Sequence, residues 1–318
     1  MVDRVQGKDF VGVADLDGSR LASVLERAAR LKHDRRVGRL HPLLAGRVVA
    51  LIFQKPSLRT RVSFDVGMSE LGGRALYLAP AEVGLGERET APDVARVLSR
   101  MVHGIVARTF KHSDITALAA HATVPVVNAL SDLEHPCQAL ADLQTIEEHA
   151  GRLQGVTMAY VGDGNNVIQS LMLAAPRVGM NVRIATPPTY RPSPEVTRQA
   201  EALAEEASTE LQIGDDPFGA VRGADFIYTD TWYSMGQEDE AAMRRPVFKT
   251  YQVNDELLRA AGNGVKVLHC LPAHRGDEVT DEVLDGPASV VYDQAENRLH
   301  AQKALLVELL AHRRESEE

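Results

Sequence analysis

Cysteine is nearly absent from this 318-residue chain, whose only two are Cys137 and Cys270. Two thiols exclude a disulfide framework and leave no cysteine cluster for zinc. Aromatic residues are scarce too, at 5%, with Trp232 the one tryptophan. No charged-then-apolar segment opens the chain, and no apolar run is long enough to span a bilayer, so a cytoplasmic location is expected. Basic charge is not in surplus. The formal net charge of −9 argues against a general nucleic-acid binder, and any anion site must be a local basic pocket in an acidic surface. Repeats, low-complexity tracts and flexible linkers are missing as well.

What is present is a globular composition, 44% hydrophobic and 25% charged, in a chain longer than one ordinary core. Two domains are expected. Leu21, Val24, Leu25, Ala28 and Leu31 recur at helical spacing behind Asp17 or Ser19 as cap, and the Lys32–Arg36 run reads as a solvated helix end. Strand-like runs then alternate with helical ones. The strands are Val48–Phe53, Ala75–Leu78, Ile105–Arg108 and Val124–Asn128, with helices after Ser57, after Thr90, at Ser113–Ala122 and at Pro136–Glu148. Gly151–Gly155 reads as a boundary. Beyond it come strands at Val156–Val161, Val182–Ala185, Phe226–Thr229 and Val265–His269, helices at Asn166–Arg177 and Pro194–Ala207, and a final helix at Ala301–Leu310. Such alternation predicts parallel sheets covered on both faces. The expected fold is α/β, with two doubly wound parallel-sheet domains, residues 1–150 and 151–318, facing across a cleft. A C-terminal helix follows the last strand and, at about 300–315, could pack back on the first domain.

The stretch FQKPSLRTRVSF, Phe53–Phe64, organises the first half. Pro56 ends the strand because its ring has no N–H for a ladder. Ser57 is a plausible cap for the helix that follows. A strand turning abruptly into a helix leaves unpaired backbone N–H groups at the positive end of the helix dipole, which is an anion site. Arg59 and Arg61, the hydroxyls of Ser57 and Thr60, and Lys55 just outside add to it, and arginine offers a rigid fork matched to phosphate oxygens. In isolation the same residues also fit a capped helix with surface arginines.

Other polar residues sit at strand ends, where open parallel sheets collect ligands. Arg108 closes the IVAR run, and His135-Pro136-Cys137-Gln138 opens a helix after the fourth strand. Arginine, histidine and glutamine there would supply donors to a phosphate and an adjoining carbonyl; alone, His135 also fits a cap or core histidine. Gly162-Asp163-Gly164-Asn165-Asn166 resembles half of a dinucleotide fingerprint. Val167 stands where the third glycine belongs and the next acidic residue after the following strand is Glu195, so a nicotinamide site is rejected. Two asparagines at a strand end suit the backbone of an amino acid better. Asp230 heads DTWYSMGQ, a carboxylate that could hold a substrate ammonium before a small-residue loop. His269-Cys270-Leu271-Pro272 places a polar pair where another strand leaves its sheet, and Arg298 adds a cation near the terminal helix.

From Val48 onward these stretches, in this order and spacing, resemble the aspartate/ornithine carbamoyltransferase family, and its ornithine-specific branch in particular. SLRTR from Ser57 is similar to the family's carbamoyl phosphate motif. The resemblance implies a carbamoyl phosphate site of Ser57, Leu58, Arg59, Thr60, Arg108, His135, Gln138, Cys270, Leu271 and Arg298. It implies an ornithine site of Asn166, Asp230, Ser234 and Met235. Cys270, Arg108, His135 and Asp230 would be the catalytic residues, with Cys270 assigned to the amine proton. The implied reaction is attack by the δ-amine of L-ornithine on carbamoyl phosphate, giving L-citrulline and phosphate in arginine biosynthesis. No metal or organic cofactor is called for. The implied assembly is a homotrimer or a multiple of trimers, with no nucleic-acid or membrane partner. Two positions depart from the family pattern: Leu58 replaces a common threonine, and Gly84 falls where many members carry a glutamine that reaches carbamoyl phosphate. The competing readings are a carbamoyltransferase for another amine, argued against by DTWYSMGQE, and a non-catalytic binder, argued against by a thiol beside a carboxylate.

Overall fold

The computed structural model describes residues 9–233 and 238–311. They fall into two compact units, one of residues up to Leu140 together with those from Arg298 on, the other Ala141–Asn297. The first unit holds α1 (Gly18–Arg36), β1 (Val48–Phe53), α2 (Leu58–Glu70), β2 (Arg74–Leu78), α3 (Pro80–Val83), α4 (Ala91–Leu98), β3 (Gly104–Arg108), α5 (His112–His121) and β4 (Val126–Leu130). The unit boundary then falls inside α6 (Pro136–Ala150). The second unit continues with β5 (Thr157–Val161), α7 (Asn166–Ala174), β6 (Asn181–Ala185), α8 (Pro194–Ala207), β7 (Leu211–Gly214), α9 (Pro217–Val221) and β8 (Phe226–Tyr228). It ends with α10 (Ala241–Phe248), α11 (Asp255–Ala261), β9 (Lys266–Leu268), α12 (Asp281–Leu284) and the start of α13 (Val291–Leu310).

Each unit has one all-parallel sheet, in the order β2-β1-β3-β4 for the first and β7-β6-β5-β8-β9 for the second. The winding direction reverses between β1 and β3, and again between β5 and β8. Those are the switch points beyond which doubly wound sheets bind ligands. Central strands β3 and β5 are buried at every residue, as both-face coverage requires. In the first unit Ile52, Val94, Ile105, Ile115 and Leu118 form one side of the core. In the second, Ile227, Trp232, Phe248, Leu257 and Val267 belong to one cluster.

The local reasons are those of the sequence pattern. Asp17 caps α1 by accepting from the Arg20 N–H at 2.8 Å, and the buried face is Leu21, Val24, Leu25, Ala28 and Leu31. The end of α1 is solvated at His33, Arg35 and Arg36 as expected, but Lys32, four residues on from Ala28, is 4% exposed and on the phase of the buried face. The fourth strand begins at Val126 rather than Val124, because Pro125 precedes it with no N–H to give. Strand β7, which the apolar pattern does not signal, is short, half-exposed and at the sheet edge. The terminal helix starts at Val291, not Ala301, so Arg298 lies within it.

Glycine is required at Gly164, in the turn after β5. A Cβ there would lie 2.3 Å from the Pro192 nitrogen and 2.5 Å from the Tyr190 carbonyl oxygen, both backbone atoms. Gly164→Ala should cost about 1–3 kcal/mol, measured by urea unfolding, as overpacking against immovable backbone does. A variant as stable as the parent would show that the Tyr190–Pro192 segment yields freely.

Candidate active site

The β1–α2 turn carries the first group of side chains. Ser57 is the N-cap of α2, accepting from the Thr60 N–H at 3.3 Å, and its hydroxyl lies 2.9 Å from Thr60 Oγ1. The first N–H groups of α2, Leu58 among them, have no carbonyl a turn earlier. The Leu58 side chain is 73% exposed, so only its backbone addresses the turn. Arg298 comes to the same place from α13. It donates from Nη2 to Thr60 Oγ1 at 3.2 Å, from Nη1 to Gln138 Oε1 at 2.8 Å and from Nε to Gln302 Oε1 at 2.9 Å. Gln302 in turn donates to Ser63 Oγ at 2.8 Å. Arg298 is 2% exposed, Gln138 1% and Thr60 1%. A guanidinium so deeply buried is held by neutral oxygens of fixed geometry.

Arg108 ends β3 at the switch point, and the register with β4 slips between Ala107 and Arg108. Such an irregularity re-aims a side chain at a strand end. His135, 5% exposed, sits just before α6. Burial, then the positive charges of Arg298, Arg108 and Arg59, hold its imidazole well below the usual 6.5. The ring is neutral at pH 7 and keeps one N–H to donate. Three guanidinium groups acting on one neutral histidine define a cationic pocket built for an anion.

The flanking basic residues behave differently. Arg61 stacks its guanidinium 3.9 Å from the Tyr77 ring centre, and the Lys55 ammonium lies 4.6 Å from that of Phe110. Gly84, with φ 58°, ends α3 in the left-handed region, and a Cβ there would meet the Arg88 Cβ at 2.6 Å. A glutamine in that backbone would be strained and would crowd Arg88.

In the second unit the strand ends at the β5/β8 switch point carry the other group. Asn165, rather than Asn166, is the N-cap of α7, its Oδ1 accepting from Val167 and Ile168 N–H. The Asn165 amide donates to Asp230 Oδ2 at 2.7 Å. Both ends of Asn165 are thus engaged, and Asn166 follows it, half-buried, at the first position of α7. Asp230 is 5% exposed, and its second oxygen accepts from Cys270 Sγ at 3.0 Å. The arrangement is a buried carboxylate held from two sides, with a thiol on it. Ser234 and Met235 lie outside the described residues.

Arg244 braces the same region. It donates to the Trp232 carbonyl at 2.8 Å, pairs with Asp163 at 3.3 Å and Glu240 at 2.8 Å, and lies 4.7 Å over the Tyr190 ring. Burial nevertheless pushes the Asp163 carboxyl up to about 7. Asp230, His269 and Cys270 place ligand atoms within 4.8 Å of one another, as a metal site would. The His269 ring cannot contribute as it stands. Its Nδ1 accepts from the Leu271 N–H at 2.9 Å, and its Nε2–H donates to Glu278 Oε1 at 3.0 Å. Two ligand atoms remain, short of the usual set for a structural or catalytic zinc.

Asn165, one of the two asparagines expected to hold an amino acid's backbone, instead caps α7 and holds Asp230. Gln302, Ser63, Arg244 and Glu278 carry no signal in the sequence, being polar residues whose burial no local pattern announces.

Comparison with known proteins also divides the chain into two parts. Residues 8–148 match the family described as aspartate/ornithine carbamoyltransferase, carbamoyl-P binding domain, and residues 154–309 its Asp/Orn binding domain. The chain belongs to the aspartate/ornithine carbamoyltransferase family. It is 52% identical to the ornithine carbamoyltransferase of Thermococcus kodakarensis over 306 residues, 96% of this chain and 97% of that one. Identity to the anabolic ornithine carbamoyltransferase of Pyrococcus furiosus is also 52%, over 96% and 97%. The solved ornithine carbamoyltransferase from Pyrococcus furiosus superposes with a TM-score of 0.93, at 51% identity over 97% of this chain and 99% of that one. For the anabolic enzyme of Campylobacter jejuni the TM-score is 0.90, at 36% identity over 95% and 98%.

His135 sets a pH dependence whose sign follows from its lowered pKa. Between the folded value and 6.5 the unfolded chain binds more protons, so stability is full above 6.5 and is lost as pH falls. His135→Gln should flatten the fall in melting temperature below pH 6.5. An unchanged slope would show that other groups govern acid unfolding.

Proposed function

We propose that this chain transfers the carbamoyl group of carbamoyl phosphate to the δ-amine of L-ornithine, releasing L-citrulline and phosphate. The observation that carries the acceptor assignment is Asp230, a buried carboxylate held by Asn165 and Cys270. A carboxylate suits an ammonium substrate, whereas an aspartate acceptor would call for cations there. Ornithine carbamoyltransferase is also the name borne by the relatives of highest identity quoted above.

In this reading Arg59 and the backbone N–H groups from Ser57 through Thr60, Leu58 included, bind the phosphate, with Arg298 and Gln138 completing the pocket. Thr60, Arg108 and neutral His135 donate to the carbonyl oxygen and to the oxyanion it becomes, the charge change that fixed donors stabilise most. Cys270 and Leu271 meet the carbamoyl group, Asn166 and the Ser234–Met235 segment grip the α-amino acid end, and Asp230 orients the δ-ammonium. That ammonium has an ordinary pKa of about 10.4 and must lose a proton before its nitrogen can attack. That proton passes to Cys270 Sγ as the thiol gives its own proton to Asp230. The C–N bond then forms, the C–O bond to phosphate breaks, and the second amine proton goes out with phosphate. Carbamoyl phosphate is assigned to residues 1–150 and ornithine to 151–318, the working assembly is a homotrimer or a multiple of it, and the location is cytoplasmic. Among the described residues no helix is long and apolar enough to cross a membrane.

Citrulline formation is the direct test, with L-ornithine, aspartate, putrescine and N-acetylornithine compared at fixed carbamoyl phosphate. Turnover with ornithine alone is expected, and Arg59→Ala should lower kcat/KM for carbamoyl phosphate by about 100-fold or more. Turnover with another amine would keep the donor site and overturn the assignment of Asp230. Binding of carbamoyl phosphate without turnover of any acceptor would overturn the enzyme reading.

A further inference from the structure

His269 and Glu278 are both 0% exposed, and neither has a place in the reaction as proposed. A backbone N–H can only donate, so the 2.9 Å contact from Leu271 N leaves His269 Nδ1 bare and puts the ring proton on Nε2. Glu278 Oε1 accepts that proton's hydrogen bond at 3.0 Å and also accepts from the His274 N–H at 2.6 Å. The backbone of His269 is fixed too, its N–H donating to Gln294 Oε1 at 2.9 Å. Gln294 is anchored through its own amide to Asp142 at 2.6 Å and to the Tyr228 hydroxyl at 3.1 Å. The bond to Leu271 has an unusual target. Leu271 has φ 57°, in the left-handed region that a leucine rarely enters without a neighbour to hold it there. The residue before it is Cys270, whose Sγ lies on Asp230.

We infer that His269 is a positioning residue: Glu278 selects its Nε2–H tautomer, bare Nδ1 pins Leu271 in its left-handed conformation, and the pin sets the Cys270 thiol on Asp230. A buried acid–histidine pair of this kind adds little to stability against an apolar replacement, so its use is in geometry. The logic is that of a ring held in one tautomer by a carboxylate behind it. The inference rests on the proposed roles of Cys270 and Asp230, and it adds the device that holds them together.

Two substitutions separate the ring's nitrogens. His269→Asn keeps an acceptor where Nδ1 was but cannot reach Glu278. His269→Gln keeps a donor where Nε2 was and loses the acceptor for Leu271. Citrulline formation should retain a kcat within about 10-fold of the parent in H269N and fall about 100-fold in H269Q, with KM for carbamoyl phosphate within about 3-fold in both. Alkylation by iodoacetamide supplies a second reading at the thiol itself. Cys137 is 0% exposed and its thiol is pushed up to about 12 by burial, so the reagent reports Cys270. Its rate should rise several-fold in H269Q and stay near that of the parent in H269N. Equal kcat losses in the two variants, or an unchanged alkylation rate in H269Q, would overturn the inference. If neither variant folds, Glu278→Gln and Glu278→Ala decide. The glutamine oxygen can still accept from both donors, so kcat should survive in E278Q and fall at least 10-fold in E278A; equal values would overturn it. A parent protein that makes no citrulline from ornithine would remove the functional reading instead, and is recognised before any variant is compared.

Discussion

Parallel pairing is the constraint on which the rest of this structure depends. Strands that all run one way cannot be joined by hairpins, so each must be followed by a crossover, here usually a helix. Every strand end then points to the same edge of its sheet, and a helix that directly follows a strand begins there. Where the winding reverses, between β1 and β3 and between β5 and β8, the helices diverge to opposite faces and leave a crevice. The residues with chemical character occupy those crevices. Ser57–Thr60 and Arg108 follow β1 and end β3, while Asn165 and Asp230 follow β5 and β8. The site is a product of topology before it is a product of side chains.

Burial then converts ordinary residues into specialised ones. The imidazole of His135 would be partly charged in water near neutral pH, but among Arg59, Arg108 and Arg298 it stays neutral, because desolvation and three like charges both oppose protonation. The same low dielectric strengthens what those guanidinium groups can do to a bound anion. In the second unit the signs are opposite. Asp163 is held at about 7 largely by burial, despite Arg244 beside it, whereas Asp230 has an amide and a thiol on its two oxygens. One chain thus builds a cationic and an acidic pocket from the same strand-end geometry. The partners it packs behind each make the difference.

The fold was largely legible because its signals are periodic. Apolar runs of strand length alternating with helical spacing lead to two parallel α/β sheets. The losses are instructive. Strand β7 has only half-buried and exposed positions, so its sequence LQIG carries no apolar run. Lys32 was read by its charge, though helical phase places it on the buried face. Arg298 reads from the sequence as a cation near the terminal helix, its role comes only from the family resemblance, and its environment cannot be read locally. Thr60, Gln138 and Gln302 reach it from other elements, at sequence separations that only the tertiary structure closes.

The turn GDGNN shows why a motif must be traced to its cause. Glycines after a β-strand suggest a pyrophosphate, since dinucleotide sites need a bare backbone for close approach. Here the close approach is intramolecular. Gly164 gives its N–H to the Tyr190 carbonyl at 2.8 Å, with no room for a Cβ, and Gly162 takes φ 146°. The packed turn delivers Asn165 to a position where one side chain caps α7 and holds Asp230. Ligand approach and chain packing make the same demand on a glycine, so the glycines alone cannot tell them apart. What separates them is where the next polar group goes. In this chain it goes to the Asp230 carboxylate, and the turn serves the packing of an acidic site.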